Sequence, residues 1–224
     1  MAKLIITIDG PAGSGKSSTA KLLAAKINAS FLDTGAMYRA VTLAAMQKGC
    51  DFNDVSQLEK IIDNTNFEFK IKDGVMVVKI AGEDVTEKIR DPQVTGNVRF
   101  VAAEGSLRAR LVKLQREFAA GVEQIVTEGR DQGTVVFPDA NLKIFLTADN
   151  TERAKRRAME LSQNGYKVDV TNLQKEIEIR DLQDTSRKVA PLTPAKDAVM
   201  IDTTNFTLEQ VVEEILKLVK NSVG

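Results

Sequence analysis

A chain of 224 residues with 43% apolar and 28% charged side chains is long enough for one substantial core, alone or carrying a smaller insertion. Lys plus Arg equals Asp plus Glu at 31 each, which argues against nucleic acid or an anionic membrane as the bulk partner but leaves room for a local basic pocket. The absence of histidine excludes Ser-His and Cys-His nucleophiles and histidine metal sites; the single cysteine, Cys50, excludes an intramolecular disulfide framework and fits a reducing, cytoplasmic setting.

The first apolar run, KLIITID (3–9), ends at a glycine-rich turn and predicts a buried strand, not a signal peptide, and no run approaches the ~18 residues of a membrane span. Leu22, Leu23 and Ile27 then fall at helical spacing. SFLD (30–33) predicts a second strand, GAMYRAVTLAAMQKG a helix stopped by Gly49, and Val55 to Thr65 a further apolar helix. The period changes to two in NFEFKIKDGVMVVKIAGEDV, around the hairpin signal Asp73-Gly74. After Pro92 the chain turns helical through VAAEGSLRARLVKLQREFAA. EQIVTEG (123–129) and LKIFLTA (142–148) predict core strands, and TERAKRRAMELSQNG a helix ended by Gly165. Another helix contains RDLQDTSR (180–187), AVMIDTT (198–204) predicts a last strand, and Thr207 with Gln210 are spaced as a capping box for the final helix. Strands alternating with helices imply a doubly wound parallel α/β sheet; the hairpin near residues 66 to 82 breaks the alternation and is expected to form a small lobe beside it.

GPAGSGKS, Gly10 to Ser17, matches G-x-x-x-x-G-K-[ST] between a strand and a helix, as a phosphate-cradling loop requires. Gly10, Gly13 and Gly15 let the backbone amides turn inward, and the helix presents its positive end to the same anion. Lys16 supplies a cation for the β- and γ-phosphates and Ser17 a hydroxyl for Mg²⁺. The pattern predicts a nucleoside triphosphate site. The guanine-specific motifs of GTPases are absent, and no apolar strand ending in Asp-Glu marks a motor ATPase, which leaves the small-molecule kinases.

LDTGAMYR (32–39) places Asp33 at a strand end and Tyr38 and Arg39 in the next helix, and EGRDQGTVVFP (128–138) repeats the arrangement with Arg130 and Asp131. Carboxyl ends of strands border the ligand crevice of an open α/β sheet. In RDLQDTSR, Arg180, Asp184 and Arg187 stand at i, i+4 and i+7 and share one helix face; Asp181, about 100° away, is expected to face solvent.

IDGPAGSGKSS, LDTGAMYRA, GRDQGTVVFPDA, KIFLTA, ERAKRR and RKVAPL together resemble the bacterial cytidylate kinases, in family order and spacing, from Ile6 to the last helix. The resemblance implies a P-loop kinase domain spanning 1–224, with a nucleoside-monophosphate-binding insertion at 64–100 and a helical lid at 150–187. It implies transfer of the γ-phosphoryl group of ATP to CMP or dCMP with Mg²⁺; charge and hydropathy add the expectation of a monomer that binds neither nucleic acid nor membrane. The donor would be held by Gly10, Pro11, Ala12, Gly13, Ser14, Gly15, Lys16, Ser17 and Ser18, with Arg153, Arg156 and Arg157 on the lid. Thr34, Tyr38, Arg39, Arg108, Arg130, Asp131, Arg180, Asp184 and Arg187 would surround the acceptor. Among these, Arg108 and Asp131 would read the base, Arg180 and Asp184 would reach the sugar and phosphate, and Thr34, Arg39, Arg130 and Arg187 would hold the phosphate. Lys16, Arg130, Arg180 and Arg187 would carry catalysis, and Asp33 or Asp131 would orient Mg²⁺-bound water or arginines. One position departs: Arg99 stands where the family commonly has a serine that helps contact the base, and a long cation cannot make the same short contact. The alternatives are another P-loop kinase, acting on shikimate or a nucleoside, and a nucleotide-binding regulator without turnover.

Overall fold

Five short apolar segments pair into one parallel sheet in a computed structural model that describes residues 4–72, 74–163 and 165–223. Lys3, Asp73 and Asn164, each part of an expected element or turn, lie outside the described residues. In chain order the elements are β1 (Leu4–Asp9), α1 (Lys16–Lys26), β2 (Ser30–Asp33), α2 (Thr34–Gln47) and α3 (Val55–Asn64). There follow β3 (Phe67–Lys72), β4 (Val75–Ile80), β5 (Glu83–Asp84), α4 (Pro92–Ala103) and α5 (Gly105–Ala120). The chain closes with β6 (Gln124–Gly129), β7 (Leu142–Thr147), α6 (Asn150–Gln163), α7 (Val170–Ser186), β8 (Val199–Asp202) and α8 (Leu208–Val223).

The main sheet has the order β2-β6-β1-β7-β8. Its register sets Asp9, the last residue of β1, level with Gly129 of β6 and Phe145 of β7, so three strand ends meet where the glycine-rich loop begins. Successive strand residues point to opposite faces. Ile125 therefore joins the core beneath α2 and α5, with Met37, Val41 and Leu111, while Val126 joins the opposite core with Leu23 of α1 and Ile215 of α8. Both faces are covered, the condition under which an all-parallel sheet is stable.

Lys72 pairs with Val75, the register of the expected two-residue hairpin, and β5 adds a third strand. Met76, Val78 and Ile80 point inward, into the same apolar cluster as Leu32 and Val41. By contrast α6 and α7 share a small cluster of their own, Ala154, Ala158, Leu173 and Ile177.

Helix starts follow the sequence signals. Asp33 accepts from the Ala36 amide at 2.8 Å, Asp91 caps α4 ahead of Pro92, and Thr207 and Gln210 form the reciprocal capping box at 2.8 and 3.3 Å. The helical stretch after Pro92 differs from its expected continuity. Glu104 is extended (φ −87°, ψ 120°) and splits it into α4 and α5. The break frees the Ala102 carbonyl at the end of α4, and Arg108 donates to it at 3.1 Å. After β6 the chain makes a five-residue π-helical turn, Gln132–Val136, where only a turn was expected. Among the described residues, no helix is long and apolar enough to cross a membrane.

Leu111 is fully buried where α5 meets the sheet. Leu111→Ala should lower unfolding free energy by about 2–5 kcal/mol, measured by urea titration; a loss under about 0.5 kcal/mol would contradict this packing.

Candidate active site

The loop between β1 and α1 is shaped by positions that reject side chains. Gly10 has φ 148°, and a Cβ there would sit 2.1 Å from the Leu146 carbonyl oxygen of β7. Gly13 has φ 75°, and its Cβ would lie 2.9 Å from Cβ of Arg153. Ser14 Oγ and Lys16 Nζ both donate to the Pro11 carbonyl, at 3.0 and 2.6 Å. Burial pushes the Lys16 ammonium down to about 7; Arg130 and Arg180 add repulsion, while Glu128 and Asp184 oppose it. Its charge therefore lacks a sufficient counter-ion within the protein.

Ser17 Oγ donates to Glu128 Oε1 at 2.8 Å. Glu128 is buried at the end of β6, and burial followed by the nearby Asp33 raises its carboxyl above the usual range. The hydroxyl and carboxylate are hard oxygen donors of the kind Mg²⁺ takes, and Mg²⁺ keeps several waters instead of needing an all-protein cage. Among the described residues, no group of three or more His, Cys, Asp or Glu side chains could hold a metal ion. Of the two roles expected for Asp33 and Asp131, orienting metal-bound water or arginines, the fold brings each of them to an arginine. Asp33 caps α2 and pairs with Arg39 at 3.0 Å, and Asp131 forms a buried ion pair with Arg108.

On the other side of the crevice, Thr34 Oγ1 donates to the Glu128 carbonyl at 2.7 Å and ties β2 to β6. Tyr38 is buried with the Arg108 guanidinium 5.5 Å from its ring centroid, and burial raises its hydroxyl to about 12. Arg130 Nε donates to Asp184 Oδ2 at 2.7 Å, and Arg187 lies 3.7 Å from the same carboxylate. Burial alone would raise Asp184; Arg130, Arg180 and Arg187 hold it below the usual range. The Arg180 side chain makes no hydrogen bond or ion pair among the described residues, and burial with Arg130 beside it lowers its guanidinium to about 10. Arg39 Nε and Arg187 Nη2 are buried donors without a partner. Arg99, exposed on α4, stacks 4.9 Å from the Phe100 ring and lines the crevice.

The three arginines expected on a lid divide. Arg156 grips Thr203 after β8, at 2.9 Å to its hydroxyl and 2.7 Å to its carbonyl, and Arg157 pairs with Glu160 at 2.7 Å. Both line the crevice, as do Ala12 to Ser18 and the nine expected acceptor residues from Thr34 to Arg187. Gly10, Pro11 and Arg153 do not: Arg153 is buried behind the loop and donates to the Ala12 carbonyl at 3.0 Å. The crevice holds about 2360 Å³, well above the roughly 300–1,000 Å³ of a pocket for one small molecule.

Three acidic residues were missed or misread from sequence. Asp181 does not face solvent; it pairs with Arg153 and accepts from the Ala12 amide, because α7 packs that side against the phosphate loop. Glu128 was not singled out, because Thr127 interrupts the apolar run ahead of it. Asp9, just ahead of Gly10, accepts from the amides of Gln132 and Gly133 at 2.9 and 2.8 Å and anchors the turn that carries Arg130 and Asp131.

Burial raises Asp9 to about 6, against those two amide bonds, with Asp131 adding repulsion. Between about pH 4 and 6 the unfolded chain has lost this proton while the folded chain keeps it, so stability falls with rising pH by on the order of 3 kcal/mol. Urea unfolding near pH 4 and pH 7 should show that extra loss in wild type relative to Asp9→Asn; equal pH slopes would contradict the assignment.

A cytidylate kinase family model matches residues 6–221. A cytidylate kinase of Caldicellulosiruptor saccharolyticus is 47% identical over 224 residues, covering 100% of this chain and 99% of that protein. One from Pelotomaculum thermopropionicum is 49% identical over 212 residues, covering 94% and 93%. Among solved structures, a shikimate kinase from Bacteroides thetaiotaomicron superposes with a TM-score of 0.50 at 12% identity, covering 97% of this chain and 98% of that one. An uncharacterised protein from Eubacterium ventriosum gives a TM-score of 0.53 at 15% identity, covering 98% and 99%. These two likenesses carry the α/β fold alone. With a family match from one end to the other and close to half of all positions identical to named relatives, the chain belongs to the cytidylate kinase family.

Proposed function

We propose that this chain transfers the γ-phosphoryl group of ATP to CMP or dCMP, giving ADP and CDP or dCDP. The observation that carries this reading is the pair of buried, unpartnered guanidinium donors on Arg39 and Arg187, in a crevice that also holds Arg180 without an ion pair. Buried donors are costly unless satisfied, and phosphate oxygens satisfy them. The names of the relatives supply the nucleoside.

The acceptor phosphate is the nucleophile. Its second ionisation lies near pH 6, so at neutral pH it is largely a dianion and needs no general base. One of its oxygens bonds to the γ-phosphorus as the bond to the ADP oxygen breaks, and no proton has to move. A protein without histidine can therefore run the reaction by positioning and charge neutralisation. Lys16 exchanges the Pro11 carbonyl for phosphate, Arg39, Arg130, Arg180 and Arg187 surround the transferring group and the acceptor, and Arg108 with Asp131 faces the base. Mg²⁺, held through Ser17 and through water on Glu128, would neutralise charge on the donor phosphates. The segment 64–100 serves as the acceptor-binding insertion and 150–187 as the lid that keeps water from the phosphoryl group. The reading includes a monomer acting in the cytoplasm on small nucleotides.

A coupled ADP-release assay with CMP, dCMP, UMP and AMP should show turnover with the cytidine nucleotides. Lys16→Ala should lower kcat by about 10³-fold or more, and Arg187→Ala should lower kcat/KM for CMP by about 10²-fold; wild-type rates in either would sink the mechanism. Lys16 also predicts proton uptake. Burial disfavours its charge in the empty loop and a bound triphosphate restores it, so binding above neutral pH should take up protons. Calorimetry in buffers of different ionisation enthalpy reads this directly, and Lys16→Arg, which is always charged, should abolish it.

A further inference from the structure

Asp181 and Asp184 stand less than one turn apart on α7 and serve opposite halves of the crevice. Asp184 takes Arg130 at 2.7 Å and lies 3.7 Å from Arg187, on the acceptor side. Asp181 faces the donor loop: its Oδ1 accepts from the Ala12 amide at 3.4 Å, and its Oδ2 pairs with Arg153. Arg153 in turn donates to the carbonyl of Ala12 at 3.0 Å, so one ion pair holds both polar groups of that residue.

The Ala12 amide belongs to the same peptide unit as the Pro11 carbonyl, and Lys16 Nζ donates to that carbonyl at 2.6 Å. A peptide unit is planar, so its two ends cannot turn independently. Lys16 therefore grips one end of the plane and Asp181 the other. When Lys16 turns to a donor phosphate, the carbonyl end is released, and the amide end can close its long 3.4 Å approach to Asp181 and firm its hold on the helix. That difference between the empty and filled loop is what coupling between sites requires.

We propose that Asp181 is a positioning residue that couples the two nucleotide subsites: it ties α7 to the Pro11–Ala12 peptide, so that filling the donor loop sets the grip of Arg180, Asp184 and Arg187 on the acceptor. Asp181 touches neither nucleotide and acts through Ala12 and Arg153. The inference rests on the kinase reading above, and its test separates the two.

Binding of CMP is measured by titration calorimetry with and without saturating MgADP. ADP lacks the γ-phosphate, so direct contact between transferring and accepting phosphates does not enter. In wild type, MgADP should tighten CMP binding by about tenfold, within the usual range for coupled sites. Asp181→Asn should bring that ratio to within about twofold of one, while CMP affinity without ADP stays within about threefold of wild type. Should Asp181→Asn fail to fold, Arg153→Lys keeps the charge but loses the Nε and Nη2 bonds to Ala148 and Asn150 that aim Nη1 at Ala12 and Asp181, and must show the same collapse of the ratio. A ratio of one in wild type, or a ratio that persists in the folded variants, overturns this inference alone. CMP that neither binds to nor is phosphorylated by wild type overturns the kinase reading along with it.

Discussion

Like charges crowded under burial are the constraint around which this molecule is arranged. Lys16, Arg39, Arg130, Arg180 and Arg187 converge on one crevice, and burial with mutual repulsion drives Lys16 and Arg180 below their ordinary ranges. Protein carboxylates meet part of the demand: Asp33 for Arg39, and Asp184 for Arg130 and Arg187. The part left unmet is the part a phosphate can meet. An electrostatic deficit fixed in the folded state is a preorganised site, because the cations need not reorient when charge arrives. Its cost falls on the stability of the unliganded protein, and the two apolar cores on either face of the sheet offset it.

How those cores are distributed bears on which parts can move. The hairpin Phe67–Ile80 sends Met76, Val78 and Ile80 into the same cluster as the strands and α2, so displacing it exposes shared core. Helices α6 and α7 share only a small cluster, two of whose four buried residues are alanines, and they reach the rest of the molecule largely through ion pairs and hydrogen bonds. Polar contacts of that sort can be exchanged for ligand contacts at little net change, whereas core burial cannot. The geometry thus favours motion of α6 and α7 over motion of the hairpin.

Much of this was legible in the chain. Period-two and helical spacing gave the strand and helix order, and the phosphate loop was recognisable because its glycines, lysine and serine are local to one turn. The arginines after β2 and β6 could be placed because strand ends in such a sheet face the crevice. What escaped were contacts that depend on the meeting of distant segments: Asp181 with Ala12, Ser17 with Glu128, and Asp9 with Gln132 and Gly133. Helical angle alone put Asp181 on a wet face, since angle says which residues share a side but not what packs against the other. The break at Glu104 was passed over although Gly105, a residue common just past a helix end, follows it; the need of Arg108 for the Ala102 carbonyl emerges only with the α4–α5 corner assembled.

The close approach of Gly10 to the Leu146 carbonyl separates two kinds of intolerance in this loop. At Lys16 a substitution removes a charge and leaves the backbone able to form, so its variants report on chemistry. At Gly10 any side chain meets a neighbouring strand before a ligand is considered, and its variants report on architecture. Variant libraries scored for growth would rank both positions as equally essential. Scored for soluble, folded protein they would part, with Gly10 depleted and Lys16 retained, and the loop would resolve into a frame and an instrument.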